Sequence, residues 1–102
     1  MLDLKYNDAY ILNVYKELGY DENEYPLTQL GLIMFLANIG IDIYVWKPRY
    51  SNDYIWCGIE KGFNGDRDIF SQDLTEYKEF DDAVNAAIIE SACYASMNFK
   101  KK

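Results

Sequence analysis

The sequence contains no histidine, only two cysteines and only two arginines, and each scarcity excludes a class of site. Without histidine the chain lacks the usual general base near neutral pH, the histidine-activated nucleophiles and most zinc sites. The glycines at 58, 62 and 65 do not have the spacing of a phosphate-binding loop. These features predict a protein that is not an enzyme and that holds no cofactor and no metal.

The two cysteines, Cys57 and Cys93, lie within apolar patterns, which predicts small buried side chains rather than a disulfide. The first ten residues lack the basic and apolar regions of a secretory signal. The uncharged run at residues 25–41 is interrupted by Pro26 and Asn38, so we interpret it as a buried helix and not as a membrane span. We therefore expect a cytoplasmic protein with no membrane partner.

Positive charge is also scarce, and the net charge of the chain is -7. An acidic surface repels the nucleic-acid backbone, so direct nucleic-acid binding is not expected. Residues 66–82 carry seven carboxylates against two basic side chains. Such a segment is either a solvated face or an imitation of a phosphate backbone that inhibits a nucleic-acid-binding protein. The candidate residues for mimicry are Asp66, Asp68, Asp73, Glu76, Glu79, Asp81 and Asp82.

The first 40 residues have the pattern of two helices. Asn7 or Asp8 is a suitable N-cap for a helix with apolar residues at 11, 14, 15 and 18, and Gly19 suits the position after its end. Thr28 is a suitable N-cap for a second helix, which is apolar on almost every side and ends at Gly40. A helix of that composition must be covered on more than one side.

Residues 41–62 have the pattern of a β-hairpin with unusual faces. Period-2 alternation suggests that the aliphatic residues Ile41, Ile43, Val45, Ile55, Cys57 and Ile59 form one face and that the aromatic residues Tyr44, Trp46, Tyr54 and Trp56 form the other. A short third strand is predicted around residues 67–72, and a helix over 80–98. Residues 1–102 are thus predicted to form a single α+β domain of order α-α-β-β-β-α, with a three-stranded antiparallel meander whose aliphatic face packs against helices.

The aromatic set has two interpretations. The first helix can cover Tyr44, Trp46, Tyr54 and Trp56 and make a second small core. Alternatively these four residues contact a protein partner or a second copy of the chain, because Tyr and Trp are enriched at the energetic centres of interfaces. The second interpretation predicts a protein-binding module or a homo-oligomer.

The segments LTQLGLIMFLANIGIDIYV and YKEFDDAVNAAIIESACY resemble a group of short proteins carried by phages and mobile elements of Bacteroidales. Their shared features are a Thr-Gln helix start, here Thr28 and Gln29, a hairpin or meander, and a C-terminal helix that opens on an aromatic-acid-acid-Ala pattern. This chain departs from the group in its more apolar middle helix and its added first helix. The resemblance implies a bacterial host cytoplasm and a phage or mobile-element context, and it assigns no catalytic residue.

Overall fold

The computed structural model describes residues 6–61 and 67–98, and their fold is α+β, as predicted. The three strands form an antiparallel sheet of order β1-β2-β3. The elements in chain order are α1 (Ala9–Glu17), α2 (Gln29–Asn38), β1 (Ile41–Trp46), β2 (Tyr54–Lys61), β3 (Arg67–Tyr77) and α3 (Phe80–Asn98).

The first two helices begin and end where capping residues predict. The Asp8 carboxylate accepts a hydrogen bond from the Tyr10 amide at 2.9 Å, and the Thr28 hydroxyl accepts one from the Gly31 amide at 3.0 Å. Gly19 and Gly40 follow the two helices with φ values of 107° and 102°, a conformation that favours glycine. Local chemistry therefore determines where these helices stop.

The register of the sheet corrects the predicted division of the hairpin. Residues directly opposite each other in antiparallel strands point to the same face, and here Val45 lies opposite Trp56 while Tyr44 lies opposite Cys57. Each pair joins an odd-numbered residue to an even-numbered one. The aliphatic side chains of β1 thus share a face with Trp56, and the prediction of one wholly aliphatic and one wholly aromatic face is wrong.

The core lies between one face of the sheet and the helices α2 and α3. We call this the core face; it carries Ile41 and Trp56, both with no exposed surface, together with Ile43 and Val45. Ile55, Cys57 and Ile59, which were expected here, lie on the opposite face. The helices bury apolar side chains against this layer, including Leu32, Phe35, Leu36, Val84, Ile88 and Ala92.

Helix α1 packs on α3 and, within the part of the chain that the structure describes, contacts no strand. The buried Tyr15 hydroxyl joins the two helices by donating a hydrogen bond to the Ile88 carbonyl at 2.8 Å. Burial, followed by a smaller effect of Cys93, raises the pKa of Tyr15 well above its ordinary value. The interpretation in which the first helix covers the aromatic residues of the hairpin is therefore wrong.

The third strand is longer than predicted, because pairing with β2 continues to the Tyr54–Tyr77 pair. The register shifts between Gly58 and Ile59, and Phe70 lies over Gly58. The Phe70 ring stacks on Tyr94 with centroids 4.1 Å apart, and the Tyr94 hydroxyl donates a hydrogen bond to the Glu60 carboxylate. These contacts fasten α3 to the end of the sheet that is distant from the hairpin turn.

The hydrogen bond to Glu60, with smaller effects of burial and of the charges of Glu60 and Asp68, raises the pKa of Tyr94 to about 12. The folded state thus favours the neutral phenol. The contribution of this hydrogen bond to the free energy of unfolding is complete below the unfolded pKa of 10.0 and is lost as the pH rises through about 12.

Tyr94→Phe keeps the stacked ring but removes the hydroxyl, so we expect it to lower the free energy of unfolding by about 1 kcal/mol at pH 8. Urea unfolding near pH 12 should show that difference reduced, whereas a difference that is constant with pH would contradict the account.

The hairpin turn contains a strained residue. Tyr50 has a φ of 70°, the only positive value at a non-glycine residue among those described, and the Ser51 amide donates a hydrogen bond to the Pro48 carbonyl at 3.0 Å. A positive φ at the third position is what a type II turn requires, and glycine normally supplies it. Tyr50 is 94% exposed, and its ring contacts the guanidinium of the neighbouring Arg49, so burial within the described part of the chain does not compensate the strain.

We expect Tyr50→Gly to raise the free energy of unfolding by roughly 0.5–1 kcal/mol, because glycine adopts this conformation without a Cβ clash. Tyr50→Ala is the matched control, since it removes the ring but keeps the Cβ, and it should give no comparable gain. Thermal unfolding of both variants measures the difference, and equal stabilities would show that the turn is not strained.

Candidate protein-binding face

The face of the sheet opposite the core is not covered by a helix in the described part of the chain. Of the helices only α2 and α3 contact the sheet, and the buried residues that they contact lie on the core face. We call the opposite side the open face. By register its described members are Asp42, Tyr44, Trp46, Ile55, Cys57, Ile59, Lys61 and Ile69.

Large apolar side chains on the open face are substantially exposed. Ile69 is 60% exposed, Tyr44 is 44% exposed and Trp46 is 38% exposed. Cys57 and Ile59, on the central strand, are half-buried. Ile55 is only 9% exposed, since it lies on the central strand directly opposite Trp46. The face therefore presents a contiguous apolar strip that crosses all three strands.

The charged side chains that the structure describes on the open face lie at one end and have opposite signs. The Lys61 ammonium is 3.7 Å from the Asp42 carboxylate, and both side chains are partly exposed. The pair leaves these two positions with no net charge, although the whole chain carries -7. An apolar strip beside a neutral ion pair favours an apolar partner, and burial of apolar surface depends little on salt screening.

The four aromatic residues predicted to bind a partner are divided between the two faces. Tyr44 and Trp46 lie on the open face, whereas Trp56 is fully buried on the core face and is unavailable to a partner. Tyr54 is half-buried; its ring makes an edge contact with Phe80 at 5.5 Å. The structure thus brings together two of the four.

Sequence reasoning missed the aliphatic part of the open face, which is Ile59 and Ile69 with the thiol of Cys57. The alternation within each strand was correct, but it does not say which residues of two strands share a face. That depends on the turn at residues 47–53, whose length places odd positions of β1 opposite even positions of β2. A signal that predicts the register of this turn would have found these residues.

The described residues of the predicted acidic band lie at two separate places on the molecule. Asp68 lies at the end of the sheet near Tyr94, and Glu79 and Asp81 lie at the start of α3, about 20 Å away along that helix. Asp82 and Glu76 are also exposed. Asp73 belongs to β3, where its side chain is not described, and Asp66 lies outside the described residues.

The acidic residues at the start of α3 line an open cavity of about 590 Å³. Asp81 and Asp82 in the first turn of a helix are favoured by the positive end of its dipole. The Gln29 amide donates hydrogen bonds to the Asp81 carbonyl at 3.2 Å and to the Asn85 side chain at 3.1 Å. We call this feature the acidic cavity; its described lining is Tyr6, Asn7, Gln29, Glu79, Asp81, Asp82 and Asn85.

The two cysteines have the properties of unreactive thiols. Cys57 and Cys93 are free and half-buried rather than fully buried. Burial raises the pKa of Cys57, and burial together with the charge of Glu90 raises that of Cys93, so the reactive thiolate is disfavoured in both.

Among the described residues no cluster of three or more His, Cys, Asp or Glu side chains is arranged to bind a metal ion. None of the described helices has the length and apolar character needed to span a membrane.

Comparison of the chain with protein-family models, with curated proteins and with solved structures finds no match.

Proposed function

We propose that this protein is a small non-catalytic binding module of phage or mobile-element type, and that it binds a protein partner, or another copy of itself, through the open face. The observation that carries the proposal is the apolar strip of the open face, on which Tyr44, Trp46 and Ile69 are exposed. Contiguous apolar patches on soluble proteins are commonly interaction sites, because leaving them in water is unfavourable.

The composition of the strip supports binding to a folded protein surface. Trp46 and Tyr44 are large and rigid, so ordering them in an interface loses little conformational entropy. The Asp42–Lys61 pair at one end matches the usual arrangement of an apolar centre with a polar rim. The open face therefore has the anchors and the rim of a small interface.

The experiment compares two double variants that remove the same kind of side chain from different places. Trp46→Ser with Ile69→Ser alters the open face, whereas Tyr10→Ser with Leu30→Ser alters exposed apolar residues of α1 and α2. Native size-exclusion of extracts from producing cells should show the protein in a larger complex, which only the open-face variant loses. Circular dichroism should show that both variants fold.

Equal loss in both variants, or elution of the native protein at its own mass of 12.0 kDa in every extract, would contradict the proposal. Raising the salt concentration should leave the complex largely intact, because the open face has no net charge among its described side chains.

A second candidate function is inhibition of a nucleic-acid-binding protein by acidic mimicry, which the concentration of Glu79, Asp81 and Asp82 at one cavity favours. This function predicts that binding to a basic protein weakens steeply with salt. It also predicts a dependence on these carboxylates and none on Trp46 or Ile69. The separation of Asp68 from the cavity leaves only part of the predicted band available to a single groove.

A further inference from the structure

The hairpin turn is a second exposed feature, distinct from the open face, and it is basic on an acidic protein. We call residues Lys47–Tyr50 the hairpin tip. Lys47 and Arg49 are both exposed, and neither has an ion-pair partner among the described residues. Instead their cationic groups lie 5.0 Å from the Tyr54 ring centroid and 5.2 Å from the Tyr50 ring centroid. Cation-π contacts of this kind leave much of the positive charge available to an external anion.

The strained backbone of the turn holds a large ring in water. Tyr50 is 94% exposed at a φ of 70°, where glycine would be more favourable. Strained residues persist where the conformation has a use, commonly at binding positions. A contact of the ring with another molecule would account for tyrosine at this position.

The acidic cavity complements the hairpin tip in charge and in size. Its described lining has three carboxylates, three side-chain amides and a tyrosine, and no basic side chain. A volume of about 590 Å³ is sufficient for an arginine or tyrosine side chain. The net charge of -7 opposes association of two copies in general, so a contact between unlike patches is the arrangement that overcomes it.

The two complementary features lie at the same end of the molecule. Lys47 contacts the ring of Tyr54, which contacts Phe80, and Phe80 is the residue between Glu79 and Asp81 of the cavity. A two-fold dimer requires neighbouring self-complementary patches, because residue i of one copy contacts residue j of the other and the reverse. Neighbouring patches of opposite charge meet this requirement.

We propose that the hairpin tip of one molecule docks in the acidic cavity of a second copy, in a two-fold dimer in which the contact is made twice. This dimer does not depend on the open face, whose binding of an apolar partner is a separate proposal. Exposed ion pairs are individually weak, so the dimer needs both copies of the contact and is sensitive to salt.

The test is a charge exchange measured by sedimentation velocity on purified protein. One variant carries Lys47→Glu and Arg49→Glu, and the other carries Asp81→Lys and Asp82→Lys. Each variant alone should dimerise at least about tenfold more weakly than the native chain, since both contacts become repulsive. An equimolar mixture should form the heterodimer, because each of its two contacts then joins opposite charges. Formation of the dimer in the mixture also shows that neither variant has unfolded.

Tyr50→Gly should weaken the dimer while raising the stability of the monomer, a combination that a purely structural role of the ring cannot produce. The native dimer should also weaken by about tenfold or more between 50 and 500 mM NaCl. A native protein that is monomeric up to 1 mM, or a mixture that recovers no dimer, would overturn the inference. A dimer that resists the charge changes but is lost in the Trp46→Ser, Ile69→Ser variant would overturn it while supporting the open face.

Discussion

Replacing Trp56 with alanine is expected to lower the free energy of unfolding by about 3–5 kcal/mol, which is a large part of the stability of a domain of this size. Trp56 has no exposed surface, and it lies on the core face opposite Val45, beneath the helices. Its removal loses the buried area of the largest side chain in the core and leaves a cavity. Urea unfolding followed by circular dichroism measures the change.

Trp46→Ala is the matched control, because it removes the same side chain from the neighbouring strand but from the open face. Trp46 is 38% exposed, and we expect a loss of roughly 1 kcal/mol. The comparison tests the register directly: the earlier division of the hairpin into aliphatic and aromatic faces makes the two tryptophans equivalent. Similar losses in the two variants would contradict the assignment of Trp56 to the core and Trp46 to the open face.

Gly31→Ala is expected to destabilise the protein, although glycine to alanine within a helix usually stabilises by up to about 1 kcal/mol. Gly31 is buried near the start of α2, and a Cβ built there overlaps the Pro26 carbonyl oxygen and lies 2.9 Å from the Pro26 carbonyl carbon. The obstacle is backbone, which cannot rotate away. The connection between α1 and α2 must therefore shift, and we expect a loss of about 2–3 kcal/mol.

Leu30→Ala is the control for helix propensity, since Leu30 directly precedes Gly31 in α2 and is 67% exposed. Its stability should change by less than about 0.5 kcal/mol. Thermal unfolding of the two variants and the native chain shows whether Gly31→Ala lowers or raises the stability. A gain of stability in Gly31→Ala would show that Pro26 does not approach the helix as described.

Much of the fold was predictable because local chemistry determines it. Asp8 and Thr28 accept the capping hydrogen bonds of α1 and α2, and Gly19 and Gly40 end those helices in the left-handed conformation. These features depend on residues within one helical turn of each other, so a single sequence contains the information. The order of the elements and the antiparallel meander followed from the same kind of signal.

The candidate site was less predictable because it depends on contacts between distant segments. Which strand residues share a face is set by the register across the turn, and this placed Trp56 in the core and Ile69 on the open face. The position of α1 could not be predicted either, because its apolar stripe can pack against a sheet or against a helix. In the structure α1 packs on α3, where Tyr15 donates a hydrogen bond to the Ile88 carbonyl, 73 positions further along the chain. Hydrophobic periodicity identifies the apolar face of one helix or strand, but it does not say which other element covers that face.

Site-specific photo-crosslinking in producing cells tests whether the open face is a binding surface. A benzophenone side chain is placed at Ile69, which is 60% exposed on the open face, and in a parallel strain at Leu30, which is 67% exposed on α2. We expect a discrete cross-linked species from position 69, with the added mass of a partner protein or with twice the chain mass, and none from position 30. The same products from both positions, or no product from position 69, would contradict it.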